Sequence, residues 1–206
     1  MQTSLLIVDD FLDNPHELRA AAMRLDYPDI RGYFPGRNSL QRITVTGLDE
    51  QISRLVGEPL VPLVEGNSHA KFRITLADDV GRGDVHIDPQ ALWSGILYMS
   101  LPEHCEGGTD FFRHKRTGTE RAPLDMEELA ALGFRSYEEM MEKMVVPESR
   151  DRSKWEHVMR VPMRFNRLVL LRPWLWHTAG PGFGDSLENG RLVYLMFYVG
   201  ASSARS

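Results

Sequence analysis

Two stretches near the start of the chain repeat apolar residues with the period of an α-helix. The apolar positions of the first stretch are Leu18, Ala21, Ala22 and Leu25. Those of the second stretch are Leu48, Ile52, Leu55 and Val56. Asn14 and Pro15 precede the first stretch as an N-cap and a first helical residue, and Gly57 follows the second as a stop. We therefore predict two N-terminal helices that pack on the outside of a sheet.

From residue 71 onward the apolar residues occur in short runs rich in β-branched and aromatic side chains, which is typical of strands. These runs are 72–76, 84–88, 93–101, 167–171 and 191–199. They lack the intervening helices of βαβ units, so an antiparallel sandwich or barrel with helices outside it is predicted.

The region between these runs, about 114–164, is predicted to be a helical insertion between core strands. Asp125 with Glu128, and Ser136 with Glu139, have the spacing of capping boxes, and Gly133 ends the first of the two helices. A solvated helical insertion and a lid over an active site are both compatible with this charged region.

Composition narrows the class of protein. The chain has 206 residues, about the size of one domain, with 29 acidic and 24 basic residues and a formal net charge of -5. This charge disfavours nucleic acid and anionic membranes as partners, and no apolar run is long enough to span a bilayer. Cys105 is the only cysteine, so an internal disulfide is excluded. We expect a single-domain cytoplasmic protein.

One short motif and one distant histidine suggest a metal site. His86 and Asp88 are two positions apart, so in a strand both side chains point to the same face. His177 follows a very apolar stretch, where an imidazole needs a partner. Two imidazoles and one carboxylate can occupy one face of an octahedral ion and leave three positions open, as in non-haem Fe(II) oxygenases. A core histidine bonded to a carbonyl is the alternative interpretation of His177 alone.

Arg191 begins the last strong apolar strand. By alternation its side chain shares a face with Val193, Leu195 and Phe197, all of which are apolar. An inward-facing arginine needs an anion, and its guanidinium can bind a carboxylate through two hydrogen bonds. An arginine at the end of a strand that reaches back to water is the alternative.

The sequence resembles the Fe(II)- and 2-oxoglutarate-dependent dioxygenases with a double-stranded β-helix, or jelly-roll, core, in particular their prolyl-hydroxylase-like members. The matching stretches are VHID at 85–88, GILYMSLPEHCEGGTDFF at 95–112, NRLVLLRPWLWHTAG at 166–180 and ENGRLVYLMFYV at 188–199. The resemblance implies a mainly β protein with flanking helices.

The resemblance also assigns roles to individual residues. His86, Asp88 and His177 correspond to the iron ligands. Arg191 corresponds to the residue that binds the distal carboxylate of 2-oxoglutarate, and Tyr98 resembles a tyrosine that contacts the same carboxylate, an ordinary core tyrosine being the alternative. Arg191 follows His177 by 14 positions, a longer interval than is typical of the family.

The implied reaction uses O2 and converts 2-oxoglutarate to succinate and CO2 while a small molecule, amino acid or peptide is hydroxylated. The carboxylate of Asp88 favours hydroxylation, or another oxidation such as desaturation, over halogenation, since related halogenases have a small residue there. A non-catalytic jelly-roll protein that binds a metal or senses a ligand is the main alternative, and a zinc hydrolase is a third. The oligomeric state is not predicted.

Overall fold

The computed structural model of the protein describes residues 3–30 and 32–201. The strands in this part of the chain are β1 (Leu5–Val8), β2 (Arg37–Asn38), β3 (Leu60–Pro62), β4 (Lys71–Thr75), β5 (Trp93–Tyr98), β6 (Gly108–His114), β7 (Trp155–Pro162), β8 (Leu168–Leu171), β9 (His177–Thr178) and β10 (Arg191–Gly200). The α-helices are α1 (Pro15–Ala22), α2 (Leu48–Val56), α3 (Met126–Ala131), α4 (Tyr137–Met140) and α5 (Val146–Glu148). The remaining helical turns are 3₁₀ at Pro102–His104 and Arg152–Lys154 and π at Met141–Val145. Among the described residues, no helix is long and apolar enough to cross a lipid bilayer.

The strands form two antiparallel sheets, which the predicted sandwich requires. The larger sheet has the order β1-β8-β5-β10-β4-β2, and β3 also pairs with β10. The smaller sheet has the order β7-β6-β9. The predicted strand at 84–88 is reduced to a single bridge between His86 and His177, which extends the smaller sheet beyond β9.

Alternation along β8 explains why its residues are all apolar. Leu168 and Leu170 pack against the core that lies under α1 and α2, whereas Val169 and Leu171 face the core between the two sheets. Both faces of the strand are therefore buried, which produces a continuous apolar run. The same alternation in β10 sends Leu192 to the helices and Val193 to the interior.

Both predicted N-terminal helices are present, but their apolar patterns are only partly confirmed. Leu25 lies beyond the end of α1 at Ala22, and Leu55 of α2 is exposed. Gly57 adopts a left-handed conformation (φ 71°, ψ 23°) at the end of α2, as its stop role requires. Asn14 does not cap α1 through its side chain. Its backbone (φ −123°, ψ 60°) is not in the extended region from which an N-cap side chain reaches the first turn.

The helical part of the insertion is shorter than predicted. Asp125 and Ser136 cap α3 and α4 by accepting backbone N–H groups, as the sequence suggested. Residues 155–162, however, form β7, which pairs with β6 along its length. Six of the eight side chains of β7 are exposed because it is an edge strand. These exposed residues are both polar and apolar, so the strand lacks the continuous apolar signal of the buried strands.

Asn166 joins the N-terminal segment to the turn before β8. Its side chain accepts a hydrogen bond from the Leu12 N–H (2.9 Å) and donates one to the Leu12 carbonyl (2.8 Å). Its backbone has φ 60°, a conformation that asparagine and glycine tolerate better than other residues.

We predict that Asn166→Ala lowers the free energy of unfolding by about 3 kcal/mol, from two lost hydrogen bonds and left-handed backbone strain. Asn166→Gly should lose about 1 kcal/mol less, since glycine accepts the positive φ. Urea unfolding monitored by circular dichroism tests both variants. An alanine variant as stable as the wild type would contradict this role.

Candidate metal centre

The structure brings His86, Asp88 and His177 together on one wall of a cavity of about 830 Å³. The Nε2 atom of His86 is 3.7 Å from Oδ1 of Asp88, and Nε2 of His177 is 3.6 Å from its Oδ2. One potential ligand atom from each residue lies within 4.8 Å of the others. Side chains from two distant segments of the chain therefore lie close together at one place.

Backbone pairing sets the positions of the two histidines. The His86 N–H donates to the His177 carbonyl (2.9 Å), and the His177 N–H donates to the His86 carbonyl (3.1 Å). His177 also lies opposite Phe111 of β6, which anchors it to the smaller sheet. Asp88 is held separately, because its N–H donates to the Pro173 carbonyl (3.0 Å).

Each imidazole is oriented by a hydrogen bond on the side away from the cluster. Nδ1 of His86 lies 2.7 Å from the Asp84 carbonyl, and Nδ1 of His177 lies 2.8 Å from the Leu175 carbonyl. A carbonyl only accepts, so Nδ1 of each ring carries a proton, and in the neutral form of the ring Nε2 presents a lone pair. Oriented imidazoles of this kind are typical of metal ligands.

Burial keeps the imidazole of His86 neutral. Burial lowers the pKa of His86 to about 4, and the neighbouring His177 contributes to the shift. The imidazole is therefore neutral at pH 7, the form that binds a metal. Asp88 accepts a hydrogen bond from the Ser94 hydroxyl (2.6 Å) at Oδ2, which fixes its carboxylate. Two imidazoles and one carboxylate suit a divalent ion such as Fe(II).

Arg191 lies at the start of β10 with its side chain in the interior, and it is 1% exposed. Its Nε and Nη2 atoms are buried without a hydrogen-bond partner, and among the described residues no carboxylate lies within 4 Å of its guanidinium. Burial lowers the pKa of its guanidinium below the ordinary value. A buried guanidinium with unused donors is arranged to bind an anion.

Tyr98 lies beside Arg191, with its ring centroid 6.0 Å from the arginine Cζ. Its hydroxyl is 2.7 Å from the Thr109 hydroxyl and 3.4 Å from the Val161 carbonyl. Burial raises the pKa of Tyr98, so the phenol stays protonated at neutral pH. The structure thus places Tyr98 next to the predicted anion site, already engaged with protein partners.

Three residues that contact the site were absent from the sequence prediction. Ser94 and Arg73 lie on strands whose alternation points them inward, so period-two reasoning from Tyr98 and Arg191 could have found them. Phe34 packs its ring 4.2 Å from the His86 ring, centroid to centroid, and no sequence pattern around it predicts this contact. Arg73 donates to the Phe34 carbonyl (2.8 Å) and so holds this aromatic residue in place.

The fold and the site define a jelly-roll protein with a cluster of two histidines and one carboxylate inside a cavity. The chain belongs to the family described as "Family of unknown function (DUF6445)", which matches residues 85–198. No curated protein matches the chain.

HygX and SnoK are two of the solved structures that have a similar fold. The chain is 15% identical to HygX from Streptomyces hygroscopicus with nickel, 2-oxoglutarate and hygromycin B bound, with a TM-score of 0.53 over 97% of this chain and 84% of HygX. It is 14% identical to SnoK, a non-heme alpha ketoglutarate dependent carbocyclase from nogalamycin biosynthesis, with a TM-score of 0.57 over 97% of this chain and 81% of SnoK. These similarities confirm the predicted jelly-roll fold.

We predict that His177→Ala removes stoichiometric Fe(II) binding, because two ligands without the third leave the ion weakly held. Isothermal titration under anaerobic conditions measures the binding, and circular dichroism checks that the chain stays folded. His16→Ala is the matched control, since His16 is exposed and outside the cluster. Stoichiometric iron in the His177→Ala protein would remove this residue from the ligand set.

Proposed function

We propose that the protein is an Fe(II)- and 2-oxoglutarate-dependent dioxygenase that hydroxylates a C–H bond of a small molecule, an amino acid or a peptide. The observation that carries this proposal is the combination of a three-ligand cluster with the unpartnered buried guanidinium of Arg191 in the same barrel. A zinc hydrolase would use the same three ligands, but this function leaves the buried arginine unexplained.

The similar structures support the general class. HygX holds nickel and 2-oxoglutarate together with a small molecule, hygromycin B, and SnoK depends on alpha ketoglutarate. SnoK is a carbocyclase, so proteins with this fold catalyse more than one type of reaction. Hydroxylation by the present chain is proposed from Asp88, because a carboxylate at this position leaves no ligand position for a halide.

His86, Asp88 and His177 would hold the iron through two Nε2 atoms and one carboxylate oxygen. Bound iron together with 2-oxoglutarate supplies activation of O2, with decarboxylation of the cosubstrate to succinate and CO2. The carbonyls of Asp84 and Leu175 keep both imidazoles in the tautomer that exposes Nε2. The Ser94 hydroxyl keeps the Asp88 carboxylate turned toward the two histidines.

Arg191 would bind the distal carboxylate of 2-oxoglutarate. Its guanidinium is already dehydrated, so a carboxylate that pairs with it gains charge-assisted hydrogen bonds without further desolvation of the arginine. Tyr98, hydrogen-bonded to Thr109, would form the wall of this subsite. The two anchors together would orient the cosubstrate along the interior of the barrel.

The substrate would enter the cavity of about 830 Å³ beside the metal ligands. This volume is in the range of small-molecule sites and leaves space beyond that of a cosubstrate. Phe34, Leu195 and Phe197 give part of its wall an apolar character, which would help to exclude water from the reacting atoms. The cytoplasmic location stays a prediction.

We predict that Fe(II) with 2-oxoglutarate gives a weak visible charge-transfer band under anaerobic conditions, because bidentate chelation of the iron produces one. Arg191→Met should weaken 2-oxoglutarate binding about 10- to 100-fold, the loss of one or two charge-assisted hydrogen bonds, while the affinity for iron stays unchanged. Titration of the band with 2-oxoglutarate measures the affinity for the cosubstrate. Titration with Fe(II) alone measures the affinity for iron.

Arg54→Met is the matched control, since Arg54 is an exposed arginine on α2. Its titration should follow that of the wild type. A protein that binds Fe(II) fully but gives no band with 2-oxoglutarate would favour the non-catalytic metal-binding alternative. Equal cosubstrate affinities in the Arg191→Met and wild-type proteins would place the carboxylate contact elsewhere.

A substrate screen tests turnover directly. We predict that one class among small molecules, amino acids and peptides raises succinate formation at least about 10-fold above the uncoupled background and gains one oxygen atom by mass spectrometry. Asp88→Ala, with the ligand set broken, should abolish the stimulated rate. A product with no added oxygen would contradict hydroxylation while leaving the cosubstrate proposal intact.

A further inference from the structure

The insertion between β6 and β7 forms a core of its own that reaches the chain beside both histidines. Val85 precedes His86 and Trp176 precedes His177, and both residues are completely buried in this core. The insertion residues of the same core are Ala122, Leu129, Phe134, Met140, Met144 and Val145. The insertion therefore packs against the backbone that carries two of the proposed metal ligands.

Ser149, at the end of α5, makes a polar connection at the same place. Its hydroxyl donates to the Val85 carbonyl (2.9 Å) and accepts from the Asp84 N–H (2.8 Å). Its own carbonyl accepts from the Val85 N–H (3.2 Å). Ser149 is 2% exposed, so these three hydrogen bonds are shielded from water and have no alternative partners in solvent.

Asp84 carries this connection to both histidines. Its carbonyl accepts the hydrogen bond from Nδ1 of His86 (2.7 Å). Its carboxylate accepts from the hydroxyl of Thr178 (2.7 Å), the residue that follows His177, and forms an ion pair with Arg152 (2.8 Å). A displacement of Asp84 would therefore change the orientation of the His86 ring and loosen the segment that holds His177.

We infer that the insertion positions the metal ligands, and that Ser149 and Arg152 act as positioning residues for His86 through Asp84 and Val85. The inference rests on the metal centre of the proposed function. It replaces both sequence-based alternatives for the insertion. A solvated segment lacks a buried core, and a lid has to separate from the site, whereas this insertion shares a core and three buried hydrogen bonds with it.

The test compares metal binding in Ser149→Ala and Ser153→Ala. Ser153 lies four residues further along the same insertion, is exposed and hydrogen-bonds only with Asp151 among the described residues, so it is the matched serine control. Co(II) is the probe, because its visible absorption reports ligand geometry without turnover. Titrations are run at a temperature at which circular dichroism shows every variant folded.

We predict that Ser149→Ala binds Co(II) about 3- to 10-fold more weakly. The loss is smaller than the ~10- to 100-fold found when a direct partner of a metal-bound histidine is removed, because Ser149 acts on His86 only through Asp84 and Val85. Its spectrum at saturating Co(II) should also differ from that of the wild type, because the His86 ring is less constrained. Ser153→Ala should match the wild type in both measurements. A purely structural role would lower the unfolding temperature and leave the affinity of the folded protein and the saturated spectrum unchanged.

A second variant keeps the test decisive if Ser149→Ala fails to fold. Arg152→Met removes the ion pair with Asp84 but keeps the side-chain stem over the Phe112 ring, where the guanidinium carbon lies 4.8 Å from the centroid. We predict a two- to five-fold loss of Co(II) affinity, since an ion pair at this exposure is weak. Arg150→Met controls for the loss of a positive charge near the cavity and should not weaken binding.

The outcomes separate this inference from the proposed function. Wild-type affinity and spectra in both Ser149→Ala and Arg152→Met would overturn the positioning role alone. A wild-type protein that binds Co(II) normally but does not chelate iron with 2-oxoglutarate would overturn the proposed reaction and leave the positioning role standing. Failure of the wild type to bind Co(II) would remove the metal centre and the inference with it.

Discussion

The candidate metal centre depends on two backbone hydrogen bonds between His86 and His177. They form an antiparallel bridge one residue long, and they join parts of the chain that are far apart in sequence. A bridge this short has little stability by itself, so it needs support from both sides. Phe111 of β6 supplies that support to His177, and the core around Val85 supplies it to His86. The ring positions follow from this arrangement, because the carbonyls that orient the imidazoles belong to the same segments.

One charged side chain in the interior of the jelly roll, that of Arg191, lowers the stability of the fold. Arg191 is buried with unused donors, whereas Asp88 is only partly buried and accepts a hydrogen bond from the Ser94 hydroxyl. A buried charge without a partner costs free energy, which the surrounding apolar contacts have to offset. A carboxylate that pairs with Arg191 would remove this cost. A ligand that pairs with Arg191 would therefore raise the stability of the folded protein.

Period-two alternation made much of the fold and the site predictable. The apolar runs that became β8 and β10 are buried on both faces, and this strong signal also placed Arg191 in the interior. The strand β7 was not recognised inside the predicted insertion because most of its side chains are exposed and mix polar with apolar residues, which gives no such signal. Phe34 and Ser149 were unpredictable for a different reason. Each acts through a contact with a segment remote in sequence, which no local pattern encodes.

The long interval between His177 and Arg191 illustrates how sequence spacing and structure differ. The intervening chain crosses from the smaller sheet to the larger one, and it is anchored on the way. Phe183 is buried in the core between the sheets, and the Ala77 N–H donates to the Gly184 carbonyl (3.0 Å), which ties this segment to the chain after β4. Gly182 approaches the Leu76 carbonyl so closely that a Cβ atom would lie 2.1 Å from it. The added residues therefore form a packed connection, and the unusual spacing is compatible with an arginine held rigidly inside the barrel.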